Sequence, residues 1–194
     1  MKIDIGPFPE DGSDQPTSIH IDDYDTWSMD ATLAKIILPM LKKLKEVKHG
    51  SPLVDDEDLP EELRTSDENH HQREFDFDDN VQQLRWDQYE VRWNWVMDEM
   101  IWAFEQKNTE WEDQFYSGEM QTLLQPLDKD GNPIGDPYDT DDGEPPEPEG
   151  VETFEMMRGP NDTFKCDYEK MDRHHNRMKN GFRLFGKYYE GLWD

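Results

Sequence analysis

The sequence predicts a mainly α fold: a small helical domain around a central long helix, with an N-terminal strand pair and a short β-hairpin. Residues 80–116 contain five of the seven tryptophans and no proline or glycine, which favours an uninterrupted helix. Residues 168–192 carry mostly apolar side chains at alternating steps of three and four, which is typical of a second long helix. Turn formers flank the short segments that predict strands. A chain of 194 residues is most simply a single domain, 1–194.

The N-terminal part is expected to contain a strand pair and one helix. Residues 2–5 and 17–22 each alternate apolar and polar side chains, and turn-forming residues lie between them. Ser28 suits a helix N-cap, and Gly50 suits the residue that ends the helix. Because Pro39 lacks an N–H and clashes with the preceding turn, it must kink this helix or start its second half.

The central helix is predicted to carry apolar side chains on two opposed faces. The broad face comprises Trp86, Tyr89, Trp93, Val96, Met97, Met100, Phe104, Trp111 and Phe115. The opposite stripe comprises Leu84, Val91, Trp95 and Trp102. A helix that is apolar on opposed faces needs a partner on each, so we expect it to form the middle layer of the domain.

The last helix is predicted from about residue 162 to residue 193. Its seam comprises Tyr168, Met171, His175, Met178, Phe182, Phe185, Tyr189 and Leu192. Such a seam suits packing along the central helix. Glycines at 181, 186 and 191 weaken a helix by roughly 1 kcal/mol each, so we expect close approach of a neighbouring backbone to compensate. Carboxylates of the same protein are expected to pair with the cations of this helix, Arg173, Arg177, Arg183 and Lys187.

The stretches between the helices are predicted to be loops and short strands. Residues 51–79 form an acidic connector, and residues 139–150 form an acidic, proline-rich stretch that is typical of a mobile loop. An Asp-Gly pair at 130–131 predicts the turn of the short hairpin. Residues 154–157 favour a short returning strand.

The net charge of −27 is concentrated in the first 160 residues, which contain 41 Asp and Glu against 13 Lys and Arg. Such a surface repels nucleic acid and anionic lipid and attracts basic partners over about 8 Å at physiological salt. We therefore expect a protein partner with a basic surface, no direct nucleic-acid binding and no membrane association. The interaction candidates are Asp55, Asp56, Glu57, Asp58, Glu61, Glu62, Asp76, Asp78, Asp79, Asp139, Asp141, Asp142 and Glu144. The alternative is that these charges only keep the protein solvated.

Cysteine usage and hydropathy indicate a reducing compartment. The single cysteine, Cys166, excludes a disulfide within the chain and a cysteine zinc site. The sequence shows neither an apolar targeting segment at its start nor a run of 18 apolar residues, so we expect neither secretion nor membrane spanning.

Three stretches together resemble an uncharacterised protein family of tailed double-stranded DNA bacteriophages. They are IHIDDYDTWSMDATLAKIILPMLKKLKEVKHGSP at 19–52, WNWVMDEMIWAFE at 93–105 and NGFRLFGKYYEGLWD at 180–194. The resemblance implies a phage product that is present in the bacterial host cytoplasm or in the phage particle. It brings no activity, cofactor or catalytic residue with it.

Carboxylates and histidines are the candidate metal ligands. One row along the central helix comprises Asp87, Asn94, Asp98, Glu105 and Glu112, and histidines pair at 70–71 and 174–175. Helical di-metal sites use a Glu-x-x-His motif, which this sequence lacks, so we expect the row to be the solvated margin of a buried face and His175 to be a core residue. Residues 128–132 resemble the start of a calcium loop, but Pro133 stands where that loop needs glycine, so a hairpin is expected. No metal, cofactor or catalytic residue is predicted.

The leading functional hypothesis is a non-enzymatic acidic phage protein that binds a host or phage protein. In its sharpest form, rows of carboxylates mimic the charge of DNA. One alternative is a structural or assembly component of the phage particle, with aromatic helices used for self-association. The second alternative is a metal-dependent helical enzyme. The oligomeric state is left open by the sequence.

Overall fold

The computed structural model describes residues 1–64, 79–139 and 149–193, with the backbone alone for residues 79–87. The described residues contain three α-helices and seven strands in three small sheets, so the fold is mixed α/β, and the prediction of a mainly α fold is wrong. The error has two causes: much of 116–166 forms strands, and the central helix ends earlier than predicted.

The described chain forms two compact units, Met1–Glu110 with His174–Asp194, and Trp111–Arg173. The helices are α1 (Met29–Val47), α2 (Asp79–Lys107) and α3 (Tyr168–Lys187). Short 3-10 turns of the first unit lie at Asp23–Thr26, Asp56–Asp58, Glu61–Leu63 and Tyr189–Gly191. The described half of the predicted acidic connector therefore contains two ordered turns.

The central helix α2 ends at Lys107, although no proline or glycine follows until Gly118. The backbone N–H groups of Asn108 and Thr109 donate to carbonyl oxygens three residues earlier, at 3.1 and 3.0 Å. The Thr109 hydroxyl also donates to the Gln106 carbonyl oxygen at 2.9 Å. Short polar side chains offer the backbone such alternatives to the helical bond, so they end the helix without a breaker residue.

The core of the first unit is built on the broad face of α2, as predicted. Its buried residues on α2 are Trp93, Val96, Met97, Met100, Ala103 and Phe104. Ala34 and Leu41 of α1 and Leu184 of α3 join the same cluster. Burial of a large apolar side chain contributes roughly 1.5–3 kcal/mol, so this face supplies much of the stability of the unit.

The second apolar stripe predicted on α2 is only partly covered by neighbouring residues. Val91 is exposed, whereas Trp95 is half-buried and packs against the core. The guanidinium carbon of Arg177 lies over the Trp102 ring, 3.9 Å from the ring centroid. The ring centroids of Trp102 and His174 are 4.9 Å apart. The partner of Trp102 is therefore α3, which it meets through a cation–π contact with Arg177 and a ring contact with His174.

The buried side of α3 differs from the predicted seam. His175, predicted to be a core residue, is exposed, and His174 faces Trp102 instead. The buried residues of α3 are Met178, Gly181 and Leu184. At Gly181 an added Cβ would lie 2.4 Å from Ala103 Cβ and 2.6 Å from the Glu99 carbonyl oxygen. The close backbone approach expected for a glycine in this helix is confirmed at Gly181, and it selects the side of α3 that faces α2.

The N-terminal strand pair and the first helix are confirmed, but the helix ends at Val47 and not at Gly50 as predicted. Strands β1 (Lys2–Ile5) and β2 (Thr17–His20) pair antiparallel, with Ile3 opposite Ile19. The helix α1 follows Ser28 in the N-cap position and runs through Pro39.

The second unit contains the remaining strands. They are β3 (Tyr116–Ser117), β4 (Thr122–Leu127), β5 (Tyr138–Asp139), β6 (Thr153–Arg158) and β7 (Lys165–Cys166). β4 lies between β5 and β6, and β3 pairs with β7, all antiparallel. The Asp128 carboxylate accepts from the N–H groups of Asp130 and Asn132 at 2.8 Å, so the predicted hairpin turn is confirmed in place of a calcium loop. The predicted returning strand is confirmed as β6.

We expect Gly181→Ala to lower the free energy of unfolding by about 1–3 kcal/mol, because the added methyl group has to displace the backbone at Glu99. Gly186→Ala is the matched control on the same helix: no described atom lies within 4 Å of its added Cβ. This control should raise the free energy of unfolding by up to about 1 kcal/mol through helix propensity. Urea unfolding measures both, and equal effects would contradict the close approach at Gly181.

Candidate functional site

The acidic turn at residues 55–58 lies against α3. The Asp58 carboxylate is only 2% exposed, and it accepts a hydrogen bond from the Tyr188 hydroxyl at 2.6 Å. Arg183 and Lys187 each reach an oxygen of the same carboxylate at 2.6 Å. Burial by itself raises the pKa of Asp58, but the hydrogen bonds from Lys187, Tyr188 and Arg183 outweigh it and hold the pKa below its ordinary value.

Three carboxylates of this turn converge on one ammonium group. Lys187 Nζ lies 2.8 Å from Asp55, 2.9 Å from Glu57 and 2.6 Å from Asp58. Their oxygens lie within 4.8 Å of one another, a spacing that also suits a metal ion. The hydrogen bonds that Lys187 donates to Asp55 and Asp58 raise the pKa of Lys187 well above its ordinary value. The ammonium group is therefore the built-in counter-ion of this cluster.

A second cation holds the same turn to α2. The buried Arg92 donates to the Val54 carbonyl oxygen at 2.6 Å and to the Asp56 carboxylate at 2.5 Å. The backbone N–H of Asp55 donates to the Tyr188 hydroxyl at 3.0 Å. Burial and the hydrogen bond to Asp58 raise the pKa of Tyr188 to about 12. These bonds make the turn at 55–58 a structural joint between α2 and α3.

The other acidic interaction candidates have different environments. Glu61 and Glu62 are exposed and form no ion pair with a described residue. Asp139 lies on β5 and accepts from the Gln121 amide at 2.6 Å. Asp79 is the first residue of α2, and its side chain lies outside the described residues. The remaining candidates, Asp76, Asp78, Asp141, Asp142 and Glu144, also lie outside them.

The candidate metal ligands of α2 do not converge among the described residues. Asp98 and Glu105 instead form ion pairs with Lys45 and Lys42 of α1, the second with a nitrogen–oxygen distance of 2.6 Å. The side chain of Asp87 and the pair at 70–71 lie outside the described residues. Because Asp98 and Glu105 keep 59% and 42% of their side-chain surface exposed, they lie at the solvated margin of the buried face, as predicted, and pair there with α1.

The cations of α3 pair with carboxylates, as predicted. Arg177 binds the buried Glu99 through two nitrogens, at 2.7 and 3.0 Å. Arg173 binds Glu169 at 2.5 Å within the second unit. The hydrogen bond to Glu99 raises the pKa of Arg177. With Arg183 and Lys187 bound to the turn at 55–58, these cations form internal pairs, and pairing of this kind does not indicate an anion-binding patch.

An apolar groove lies beside α1, and sequence reasoning did not find it. Its cavity volume is about 590 Å³, within the range of about 300–1,000 Å³ typical of ligand pockets. Met40 and Tyr189 are 63% and 66% exposed, so the groove is open to solvent. We use the name apolar groove for the eight lining residues, which are Leu33, Ile37, Met40, Leu41 and Leu44 of α1, with Phe185, Tyr189 and Leu192.

The apolar groove exists because α1 carries a wide apolar surface. Ala34 and Leu38 contribute to the core that α1 shares with α2. Leu33 and Met40 line the groove and are exposed, whereas Leu44 lines the groove and also packs against the core. The sequence signal was the width of the apolar stripe on α1, which exceeds what one neighbouring helix covers.

A second exposed apolar surface lies at the N-terminal strand pair. Ile3, Ile5 and Ile19 share one face of the β1–β2 sheet, since alternate residues of a strand point the same way and Ile3 pairs with Ile19. We call this the isoleucine face; all three side chains are exposed. Tyr24 and Trp27 follow in the same segment and are 85% and 84% exposed. Isolated two-stranded hairpins are marginally stable, so an uncovered apolar face on one is informative.

No protein-family model matches the chain, and comparison with curated proteins and with solved structures finds no significant match. The resemblance of three stretches to phage proteins therefore stays a prediction. Among the described helices, none combines the length and the apolar content needed to cross a bilayer.

Asp58→Asn should lower the free energy of unfolding by about 2–4 kcal/mol at pH 7, because it leaves Arg183 and Lys187 beside a neutral side chain. Glu61→Gln is the control: it removes an exposed carboxylate of the next turn and should change stability by less than about 0.5 kcal/mol. Urea unfolding of both variants measures the difference. Equal small effects would show that the cluster is not a joint.

The cost of Asp58→Asn should also depend on pH. Because the folded pKa of Asp58 lies below its ordinary value of 3.8, the charged form adds stability that is present above that value. This stability is lost as the pH falls through the folded pKa. Unfolding free energies of wild type and variant should therefore differ most near pH 7 and converge below about pH 3.8. A constant difference across this range would contradict the assignment.

Proposed function

We propose that the chain is a non-enzymatic protein that binds a partner protein with a basic surface. The observation that carries the proposal is the exposed apolar surface of the N-terminal segment, the isoleucine face with Tyr24 and Trp27. Exposed aromatic and aliphatic groups that lie together mark contact surfaces, because a partner that covers them removes apolar area from water. Covering one half-exposed isoleucine contributes about 1 kcal/mol.

The charge around this surface supports a basic partner. Residues 1–30 contain eight Asp or Glu and one Lys. An apolar centre with acidic surroundings complements a protein surface that has an apolar centre and a rim of Lys and Arg. The same charges disfavour anionic lipid and nucleic acid as ligands.

Charge mimicry of DNA has less support as the form of this binding. A mimic needs carboxylates that are available to the partner, whereas Asp55, Glu57 and Asp58 hold Lys187. Asp56 holds Arg92. The proposal therefore rests on apolar contact, with the overall negative charge supplying attraction.

The resemblance to phage proteins supports a partner in an infected bacterial cell, either in the cytoplasm or in the assembling particle. A role as a component of the particle predicts that the protein is present at fixed stoichiometry in purified particles. Mass spectrometry of such particles distinguishes this role from binding to a host protein.

Affinity capture from a bacterial lysate tests the proposal. Wild-type protein should retain a protein with an excess of Lys and Arg on its surface, and raising NaCl from 50 to 500 mM should weaken the capture because salt screens the attraction. The double variant Ile19→Thr and Trp27→Ala should weaken it at least tenfold, since it removes exposed apolar area while threonine keeps the strand propensity.

The matched control is Met156→Thr, which removes an exposed apolar side chain of β6 in the second unit. It should leave capture unchanged. Capture that both variants leave intact would show that the N-terminal surface is not the contact. Retention of acidic proteins only would contradict the basic partner.

A further inference from the structure

We infer that the free edge of β6 binds an extended peptide segment of another protein, one that alternates apolar residues with Lys or Arg. The segment pairs with β6 as an added strand of the sheet that β5, β4 and β6 form in the second unit. This inference goes beyond the proposed function, because it places a main-chain contact in the second unit, whereas the isoleucine face lies in the first.

The strand β6 is the longer edge strand of its sheet, and it is open to solvent. It has six residues and all six are exposed, so no described segment covers it. The opposite edge strand, β5, has only two residues, and on that side of β4 the N–H of Ile134 donates to the Pro126 carbonyl oxygen at 2.9 Å. Proteins close a sheet edge with short strands or with bound backbone groups, and within the described residues the outer side of β6 has neither.

The register of β4 and β6 identifies the backbone groups at the free edge. The N–H of Gly159 donates to the Gln121 carbonyl oxygen at 2.8 Å, in continuation of this register. Because hydrogen-bonded and non-hydrogen-bonded pairs alternate along an antiparallel ladder, the backbone groups of Phe154, Met156 and Arg158 point away from β4. In the described part of the chain, none of these groups has a backbone partner. Each of the three residues therefore presents an N–H and a C=O to a further strand.

The side chains at this edge favour an apolar residue at every second position of the added strand. Phe154 and Met156 point to the same face of the sheet, since alternate residues of a strand share a face. Both are exposed, and the Phe154 ring contacts that of Tyr138 with a distance of 6.1 Å between centroids. Apolar side chains of an added strand lie beside Phe154 and Met156 and remove their area from water.

Local charge favours Lys and Arg at the other positions of the added strand. Glu149, Glu152 and Glu155 lie on β6 or just before it, and all three are exposed. Arg158 is the only cation in residues 149–158, and its Nε lies 3.5 Å from the Asp162 carboxylate. Residues 111–173, which form the second unit, contain 18 Asp and Glu against 5 Lys and Arg. A second copy of the chain is therefore repelled from this edge, while a cationic segment is attracted.

Labelled synthetic peptides of about eight residues test the inference on the full chain. The first alternates valine, which favours strands, with lysine. The second has the same sequence with N-methyl groups on two neighbouring central residues, which removes one N–H from each edge of the peptide. The third has glutamate in place of lysine. In fluorescence anisotropy the first should bind at least tenfold more tightly than either control, because it alone has both the free N–H groups and the positive charge.

Proline substitutions locate the site. Met156→Pro removes an outward N–H and leaves the hydrogen bonds of β6 to β4 in place, because an edge strand tolerates proline where the N–H faces solvent. It should weaken binding of the lysine peptide at least tenfold. Met156→Thr keeps the N–H and the strand propensity, so its binding should stay within about threefold of wild type. Ile3→Pro is the matched control on β1 of the first unit, where the N–H also points away from the partner strand, and it should leave binding unchanged.

Several results would overturn the inference. Equal binding of the N-methylated peptide excludes strand pairing, and equal binding of the glutamate peptide excludes the cationic segment. Binding that falls with Ile3→Pro and not with Met156→Pro moves the site to the first unit. Sedimentation that shows dimers of wild type but not of Met156→Pro assigns the edge to a second copy. The comparison of peptides needs only the wild-type protein, so it decides the question even if Met156→Pro does not fold.

Discussion

The first unit depends on the burial of one carboxylate, that of Asp58, between α3 and the turn that carries it. A buried charge is costly unless it is paired and hydrogen-bonded, and Asp58 has Arg183, Lys187 and the Tyr188 hydroxyl as partners. Arg92 binds the same turn from α2. This arrangement joins the connector to two helices through polar bonds that add to the burial of Val54 and Leu59, which suits a chain with an apolar fraction of only 33%.

The distribution of cations follows from this constraint. The chain contains 20 Lys and Arg against 47 Asp and Glu, so cations are scarce. Most of those of α1 and α3 pair with carboxylates, as in the pair of Arg177 with Glu99 and that of Lys42 with Glu105. Because these internal pairs neutralise much of the positive charge, the excess that faces solvent is negative, and the proposed basic partner would be attracted to it.

Sequence reasoning succeeded where one periodic signal decides the outcome. The broad face around Trp93 and the alternating segment of β1 are such cases. It failed where contacts between residues far apart in the sequence determine the structure. The hydrogen bond between Asp58 and Tyr188 joins residues 130 positions apart. The side of α3 that faces α2 is set by the close contact of Gly181 with Ala103. The mainly α prediction failed because short strands such as β5, with two residues, carry almost no periodic signal. The groove was missed because the helical spacing of apolar residues on α1 does not show which of them a neighbouring helix covers.

Charge and apolar area have different roles in the proposed binding of a basic partner protein. Attraction between exposed charges is screened within about 8 Å at physiological salt, so it raises the rate of encounter more than it holds a complex together. How long a complex lasts depends on which surfaces lose their water after contact. Differences in affinity between related complexes accordingly lie mostly in the dissociation rates. In the proposed complex, the acidic surface would therefore determine which partners approach, and the isoleucine face would determine how long they remain bound.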